Sequence, residues 1–132
     1  MTSSAAGRVR LVKPAQYTPQ TAQTAQTAGF VRQEIFSESG AWVGITRTPP
    51  GSTSAWHHHG DYDTYIYLQA GTGRLEFGPR GSASVDGEPG DFVHISKGVV
   101  HRELNTGDSE TVALIVRVGS GAPVFNVDGP DE

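Results

Sequence analysis

Apolar and polar residues alternate along most of the chain, and glycine or proline interrupts the alternation every few residues. In residues 41–47, Ala41, Val43 and Ile45 fall on one face of an extended chain, as a period of two requires. Residues 111–118 show the strongest pattern for a core strand. The predicted strands are 30–36, 41–47, 54–59, 64–69, 74–77, 82–85, 90–95, 99–104, 111–118 and 123–128.

Turn-forming residues separate these predicted strands. Residues 48–51 (Thr-Pro-Pro-Gly) end one strand, and Asp86-Gly87 is predicted to form a tight turn. No segment combines a helical period with helix caps. Short strands spaced by turns predict an all-β domain built as a sandwich, a jelly roll or a barrel.

The composition narrows the chemistry that the domain can carry. The chain has 132 residues, which suits one domain with its own core. It contains no cysteine, which excludes disulfides, thiolate metal sites and cysteine nucleophiles. Any metal ligands must therefore be histidine or carboxylate.

Charge and hydropathy exclude several classes of partner. The net charge of −4 argues against nucleic acid, which needs a clustered basic face. No apolar run reaches the roughly 18 residues of a membrane span, and the N-terminus lacks the apolar stretch of a secretory signal. We therefore expect a cytoplasmic protein with no nucleic-acid or membrane partner.

The first 29 residues differ in character from the remainder. Residues 21–29 form a short repeat of Thr-Ala-Gln type, which is too polar to offset its ordering entropy. We predict a flexible N-terminal segment over residues 1–29, with a frayed helix or an extended arm as alternatives. Val9, Leu11 and Val12 could pair as an edge strand. Residues 30–132 are predicted to form the β-barrel domain.

Three adjacent histidines suggest a metal site. On a strand, His57 and His59 point to one face and His58 to the other. Asp63 continues the His57 and His59 parity if the strand runs on, although Gly60 favours a bend. Two imidazoles on an inward face suit the divalent transition metals. The alternative interpretation is a solvated polar loop.

The chain resembles the cupin superfamily in the spacing of eight residues over roughly positions 40–118. They are Gly51, His57, His59 and Gly71 in one motif, and Gly90, Gly98, His101 and Asn105 in a second. The resemblance implies a small single-domain cupin with a jelly-roll β-barrel. It also implies one divalent metal ion (Fe, Mn, Ni or Zn) in the barrel, bound by His57, His59 and His101.

The chain departs from the superfamily pattern at two positions. Ser96 stands where the second motif has proline, which loosens a turn. Thr64 stands where the first motif has its glutamate at one spacing, and Asp63 occupies that place at the shorter spacing. The site therefore has either Asp63 as a fourth ligand or three histidines with water.

Four further residues are candidates for the substrate pocket. They are Trp56, Tyr65, Tyr67 and His94. His94 could act as an acid or base, and the tyrosines could bring a hydroxyl group near the metal. For all four the alternative is a structural role in the core or at an interface.

A few polar residues near the motifs have simpler interpretations. Arg74, Arg102 and Glu103 could bind a substrate carboxylate, but exposed charges are usually solvated. Asn105 is interpreted as a turn residue and not as a catalytic one.

The leading functional hypothesis is a metal-dependent enzyme acting on a small organic molecule. Dioxygenase-like chemistry is expected first, and isomerase or lyase chemistry next. The alternative is a non-catalytic module that binds or senses a small molecule in the same barrel. A homodimer is expected, because a small barrel of this kind leaves strand edges to cover.

Overall fold

The computed structural model describes residues 7–20, 30–122 and 124–130, which form eleven strands in two antiparallel sheets. The strands are β1 Thr18–Gln20, β2 Val31–Glu38, β3 Ala41–Thr48, β4 His57–His58, β5 Asp63–Ala70, β6 Gly73–Phe77, β7 Ala83–Gly87, β8 Phe92–Ile95, β9 His101–Leu104, β10 Thr111–Val118 and β11 Phe125–Asn126. Two 3-10 turns cover Pro14–Gln16 and Pro79–Gly81. The predicted all-β jelly-roll fold is confirmed.

The two sheets have interleaved strand orders, as a jelly roll requires. One sheet has six strands in the order β1-β2-β3-β10-β5-β8, and the other has five in the order β11-β4-β9-β6-β7. Residues of both sheets line one cavity between them. Within the described ranges, no helix has the length and apolar character that crossing a bilayer demands.

The inner face of the six-stranded sheet follows from the alternation along β10. Thr111, Ala113, Ile115 and Arg117 are buried, and all four line the cavity. In the ladder, Ala113 lies opposite Leu68 and Ile115 lies opposite Ile66 of β5. A small apolar core of Leu68, Ala113 and Ile115 results, with Trp42 and Ile66 packed against it.

The alternation predicted for β3 is present, and its apolar face points away from the cavity. Ile45 pairs with Leu114 and Val43 pairs with Val116, which are the outward positions of β10. The inward positions of β3 include Thr46 and Thr48, which line the cavity. The barrel interior is therefore more polar than its sequence pattern suggests.

The tight turn predicted at Asp86-Gly87 is wrong. Both residues belong to β7, where Gly87 pairs with Gly73 of β6. The chain turns over residues 88–91 instead, where the Asp91 amide donates to the Glu88 carbonyl at 3.0 Å. Gly90 takes the positive φ of +99° that this turn needs.

The N-terminal segment contributes one strand to the barrel. Strand β1 pairs with β2, so that Thr18 lies opposite Glu34. Val9 and Leu11, proposed above as edge-strand residues, lie in no strand and are 99% and 76% exposed. The repeat at residues 21–29 lies outside the described residues.

Candidate metal centre

His57 and His101 form the centre of the site as direct cross-strand neighbours. They lie opposite each other in the β4–β9 ladder, and their ring centroids are 4.4 Å apart. Each side chain is only 1% exposed. The two histidines that are 44 residues apart in the sequence are therefore brought together by strand pairing alone.

Hydrogen bonds set the proton position on both rings. The Nδ1 of His57 donates to the Ala55 carbonyl at 2.8 Å, and the Nδ1 of His101 donates to the Val99 carbonyl at 2.9 Å. A carbonyl can only accept, so each neutral ring carries its proton on Nδ1 and a lone pair on Nε2. Backbone carbonyls thus orient both imidazoles as metal ligands.

His59 and Glu103 complete a four-residue group with His57 and His101. The ligand atoms of all four residues lie within 4.8 Å of one another. The Glu103 Oε1 is 3.6 Å from the Nε2 of His57 and 3.6 Å from the Nε2 of His101. The carboxylate therefore faces the lone pairs of both oriented rings.

Asp63 does not belong to this group, because the strand parity that would place it there is broken. The Tyr62 amide donates to the His59 carbonyl at 3.0 Å, and Gly60 has a φ of +56°. Strand β5 therefore starts anew at Asp63 and turns this side chain outward. The Asp63 Oδ1 lies 2.9 Å from the Nε2 of His94.

Burial and nearby charges set the ionisation of the group. Burial and then the Arg117 guanidinium lower the pKa of His59 to about 3. Burial would lower the pKa of His57, but the interaction with Glu103 outweighs it and leaves the pKa raised. Burial would raise the pKa of Glu103, but the interactions with His101 and His57 hold it well below its usual range. The carboxylate is therefore ionised at neutral pH, as a metal ligand must be.

The donor set fits a divalent ion. The buried Nε2 atoms of His57 and His101 have no hydrogen-bond partner, and a buried polar atom left unpaired costs about 1–3 kcal/mol. A cation held by these two atoms, His59 and Glu103 would satisfy them. Imidazole nitrogen suits Fe, Ni and Zn, and an added carboxylate extends the range to Mn.

A cavity opens beside this group and is bounded by both sheets. His59 and Glu103 line it, together with Arg32 and Arg117. Its volume is about 90 Å³. Much of the remaining lining is apolar, for example Ile66. The space suits a small organic molecule that touches the four-residue group.

The four predicted pocket residues lie away from this cavity lining. Tyr65 is stacked on His94 with ring centroids 4.7 Å apart and is 46% exposed. Tyr67 packs against Phe92, with ring centroids also 4.7 Å apart. His94 borders a second pocket, which His101 also lines. The outward parity of β5 explains the placement of both tyrosines.

Trp56 also lies outside the cavity lining. Its ring is 4.7 Å from the Arg102 guanidinium, which packs over it. His57 points inward, so its neighbour Trp56 points to the outer face of the five-stranded sheet. The tryptophan thus has a structural contact with Arg102 outside the cavity lining.

Sequence reasoning treated Glu103 as a solvated surface charge and did not identify Arg32 or Arg117 as residues of the interior. A signal for Glu103 was present, since the spacing of His101 and Glu103 repeats that of His57 and His59. Arg117 shares the parity of Ala113 and Ile115, so its alternation on β10 also pointed inward. For Arg32 the pattern offered no such signal.

Comparison with known proteins supports the fold. The family model for the cupin domain matches residues 44–117. No curated protein matches the chain significantly. Among solved structures, the polyketide cyclase RemF from Streptomyces resistomycificus superposes with a TM-score of 0.76 at 16% identity, over 91% of this chain and 86% of that one.

Two further solved structures have the same fold. A double-stranded β-helix protein from Klebsiella pneumoniae gives a TM-score of 0.71 at 17% identity, covering 91% of this chain and 98% of that one. A predicted oxalate decarboxylase from Thermotoga maritima gives 0.70 at 20% identity, covering 84% and 100%. Such low identities show the fold alone. Because the family model spans residues 44–117 of the 132, the chain belongs to the cupin family.

Proposed function

We propose that this chain is a metal-dependent enzyme that acts on a small organic molecule in the cavity between the sheets. The observation that carries the proposal is the pair of buried, partnerless Nε2 atoms of His57 and His101. His59 and Glu103 complete the ligand set. When bound, a divalent ion supplies Lewis-acid or redox chemistry.

The chain's own residues prepare the site for such a molecule. The Ala55 and Val99 carbonyls hold two imidazoles in the ligand tautomer. His57 and His101 are each 1% exposed, and such burial strengthens the electrostatic interactions of the group. The cytoplasmic location and the homodimer expected from the sequence belong to the same proposal.

Dioxygenase-like chemistry is the first reaction class we propose, and isomerase or lyase chemistry is the second. The structural relatives carry different activities in their names, a cyclase and a decarboxylase among them. One fold thus hosts several reactions, and fold alone selects none of them. The identity of the metal is the first discriminator, because dioxygenase chemistry needs a redox-active ion.

Metal content tests the site directly. Untagged protein purified without a nickel column is analysed by plasma mass spectrometry, and we expect near-stoichiometric metal. His101→Ala and Glu103→Gln should each lose most of it, because removing one ligand commonly weakens binding by a large factor. Both variants should also melt several degrees lower than the parent, since a bound ion stabilises the folded state.

Two variants serve as matched controls. His58 lies beside His57 but stacks on Phe125 at 4.9 Å, and Glu76 lies beside β9 but pairs with Arg102. His58→Ala and Glu76→Gln should keep the metal content of the parent. If His101→Ala has the same metal content as the parent protein, the proposed metal site is wrong.

Turnover then separates the functional hypotheses. Bound Fe with oxygen uptake on small organic substrates supports the dioxygenase class. Zn, Ni or Mn with substrate conversion but no oxygen uptake supports an isomerase or lyase. A loaded site that binds small molecules and converts none of them would make the barrel a binding module.

A further inference from the structure

We propose that Arg32 and Arg117 form an anion-binding pair that takes the carboxylate of a small organic acid in the cavity. A small organic acid would be the substrate of the proposed enzyme, and only the conversion of the bound acid rests on the proposed function. Binding of the acid is a property of the two arginines and is testable by itself.

Arg117 is a buried cation with no ion-pair partner among the described residues. Its side chain is 6% exposed, and its Nε is buried without a hydrogen bond. Its guanidinium lies 4.8 Å from the centre of the Trp42 ring. In the described part of the chain, no ion pair joins Arg117 or Arg32 to an acidic residue. Burying such a charge is costly unless something pairs with it.

Arg32 adds a second positive charge to the same cavity. It lies on β2 opposite Thr46, at an inward position, and its Nε is also buried without a partner. The burial of Arg117 and then the charge of Arg32 lower the pKa of Arg117 to about 10, although the charge of the Glu103 carboxylate acts in the opposite direction. The two positive charges repel each other. An anion between them would remove this repulsion.

A second arginine–tryptophan stack in the same protein shows what Arg117 lacks. Arg102 packs over Trp56 at 4.7 Å, much as Arg117 packs over Trp42. Arg102 also has a carboxylate, because its Nη2 lies 2.7 Å from the Glu76 Oε1. The stack of Arg102 on Trp56 therefore includes a carboxylate from the chain itself. Arg117, which stacks on Trp42 in the same way, has no such carboxylate among the described residues.

The positions of the charged groups define the shape of the ligand. The metal-binding group lies on the five-stranded sheet, while Arg32 and Arg117 lie on the six-stranded sheet that faces it. The Glu103 carboxylate faces the Nε2 atoms of His57 and His101, at 3.6 Å from each, and forms no ion pair with either arginine. A planar carboxylate matches the guanidinium fork, which binds it with two parallel hydrogen bonds.

The other residues that line the cavity indicate which kind of group the acid carries besides its carboxylate. Apolar side chains from both sheets surround the cavity, and they include Ile66, Leu68, Leu75, Val93 and Ile115. An acid with a small apolar or aromatic body would bury that surface. Benzoate combines a carboxylate with such a body, and benzamide is its neutral counterpart of equal shape.

Benzoate binding tests the pair. Trp42 lies against Arg117, so an anion bound there should change its fluorescence. The chain has two tryptophans, and Trp56→Phe leaves Trp42 as the only one. We expect saturable benzoate binding by fluorescence and calorimetry, with benzamide at least about tenfold weaker. Arg117→Met and Arg32→Met should each weaken benzoate binding about tenfold to a hundredfold, as for hydrogen bonds to charged groups.

Arg102→Met is the matched control, because it removes an arginine from the tryptophan stack outside the cavity. It should bind benzoate as the parent does. Circular dichroism checks the fold of each variant, and Arg32→Met keeps the test valid if Arg117→Met does not fold. Benzoate binding that is unchanged in both cavity variants, or equal to benzamide binding, would overturn the inference.

The same titration separates this inference from the proposed function. It is run on the protein as purified and again after a chelator has removed the metal. Benzoate binding that survives metal removal and fails in the cavity variants supports the anion-binding pair, even if metal content contradicts the metal site. If benzoate binding is lost when the metal is removed but is kept in both arginine variants, the anion binds to the metal, and the proposed role of the arginines is wrong.

Discussion

Single residues of the metal-binding group differ in how they hold protons, although all three histidines lie in one cluster. Burial lowers the pKa of His59 to about 3, from an ordinary value of 6.5. For His57 burial acts in the same direction, but the interaction with Glu103 outweighs it and raises the pKa. The environment of each ring decides its chemistry, and the residue type does not.

These two pKa shifts predict how the stability of the metal-free protein depends on pH. Between pH 3 and 6.5 the unfolded state binds a proton at His59 that the folded state does not, so acid lowers stability. The raised pKa of His57 stabilises the folded state, and this stabilisation is fully present below pH 6.5. It is lost as the pH rises through the raised pKa that His57 has in the folded state. The two residues together favour a maximum near pH 6.5.

Urea unfolding of the metal-free protein from pH 5 to 6.5 tests the acid side. We expect His59→Asn to flatten the pH dependence by up to about 1.4 kcal/mol per pH unit, the value for one proton. His58→Asn is the control, because this ring is half-buried and stacked on Phe125. Identical slopes for the parent and His59→Asn would contradict the effect of burial on His59.

At this scale the sequence located three of the four residues of the group. Alternation placed His57 and His59 on one face, and the spacing of the second motif picked out His101. The fourth residue was predicted as Asp63 or as none, whereas the structure brings Glu103 to the group. Asp63 would have joined the histidines only if the strand had continued past Gly60. The turn at Gly60 instead directs the Asp63 side chain outward.

Among the elements, the turn between β9 and β10 depends on one side chain. Asn105 is 2% exposed, and its Nδ2 donates to the Thr48 carbonyl and to the Ser109 carbonyl, both at 2.9 Å. The Gly107 amide donates to its Oδ1 at 3.0 Å. Asn105 thus joins the end of β3 to the turn, which supports its interpretation as a turn residue.

Asn105→Ala should therefore lower the free energy of unfolding by about 3 kcal/mol, because it leaves several buried backbone groups unpaired. Urea unfolding measures the change. Asn126→Ala on the short strand β11 is the control, since an exposed position should change stability by less than about 0.5 kcal/mol. A loss below about 1 kcal/mol for Asn105→Ala would show that the turn holds without it.

Most strands were predictable at the scale of elements, and the failures have local causes. Strand β10 was predicted over its observed residues, Thr111–Val118. Strand β4 was predicted as six residues but has only two, His57–His58. The histidine rings are fixed by hydrogen bonds to nearby carbonyls and not by a long ladder. Periodicity cannot reveal such local bonds.

On the scale of the whole molecule, part of the outer face of the six-stranded sheet is apolar. One row across it contains Ile45, Leu114, Tyr67 and Phe92, as the strand registers show. Phe92 is 77% exposed at the edge strand β8. Ile45 is buried, whereas Phe92 and the 46%-exposed Tyr65 of the neighbouring strand β5 give exposed apolar surface of the kind typical of interfaces. This edge of the sheet offers a place for the predicted homodimer.

Sedimentation velocity tests this arrangement. We expect the parent protein to be a dimer and Phe92→Asp to shift it towards the monomer, because a charge in an apolar interface is poorly solvated. Phe125→Asp is the control, since Phe125 is an exposed aromatic residue on the five-stranded sheet. A parent protein that sediments as a monomer would contradict the predicted dimer.

The sequence by itself determined the fold class, the positions of most strands along the chain and three of the histidines at the centre. These features depend on local alternation, turn residues and motif spacing, which are written along the chain. Only the tertiary structure decided which carboxylate joins the histidines and which arginines face them. Glu103, Arg32 and Arg117 come together through strand pairing and sheet stacking, and neither local periodicity nor motif spacing records which side chains meet across a cavity.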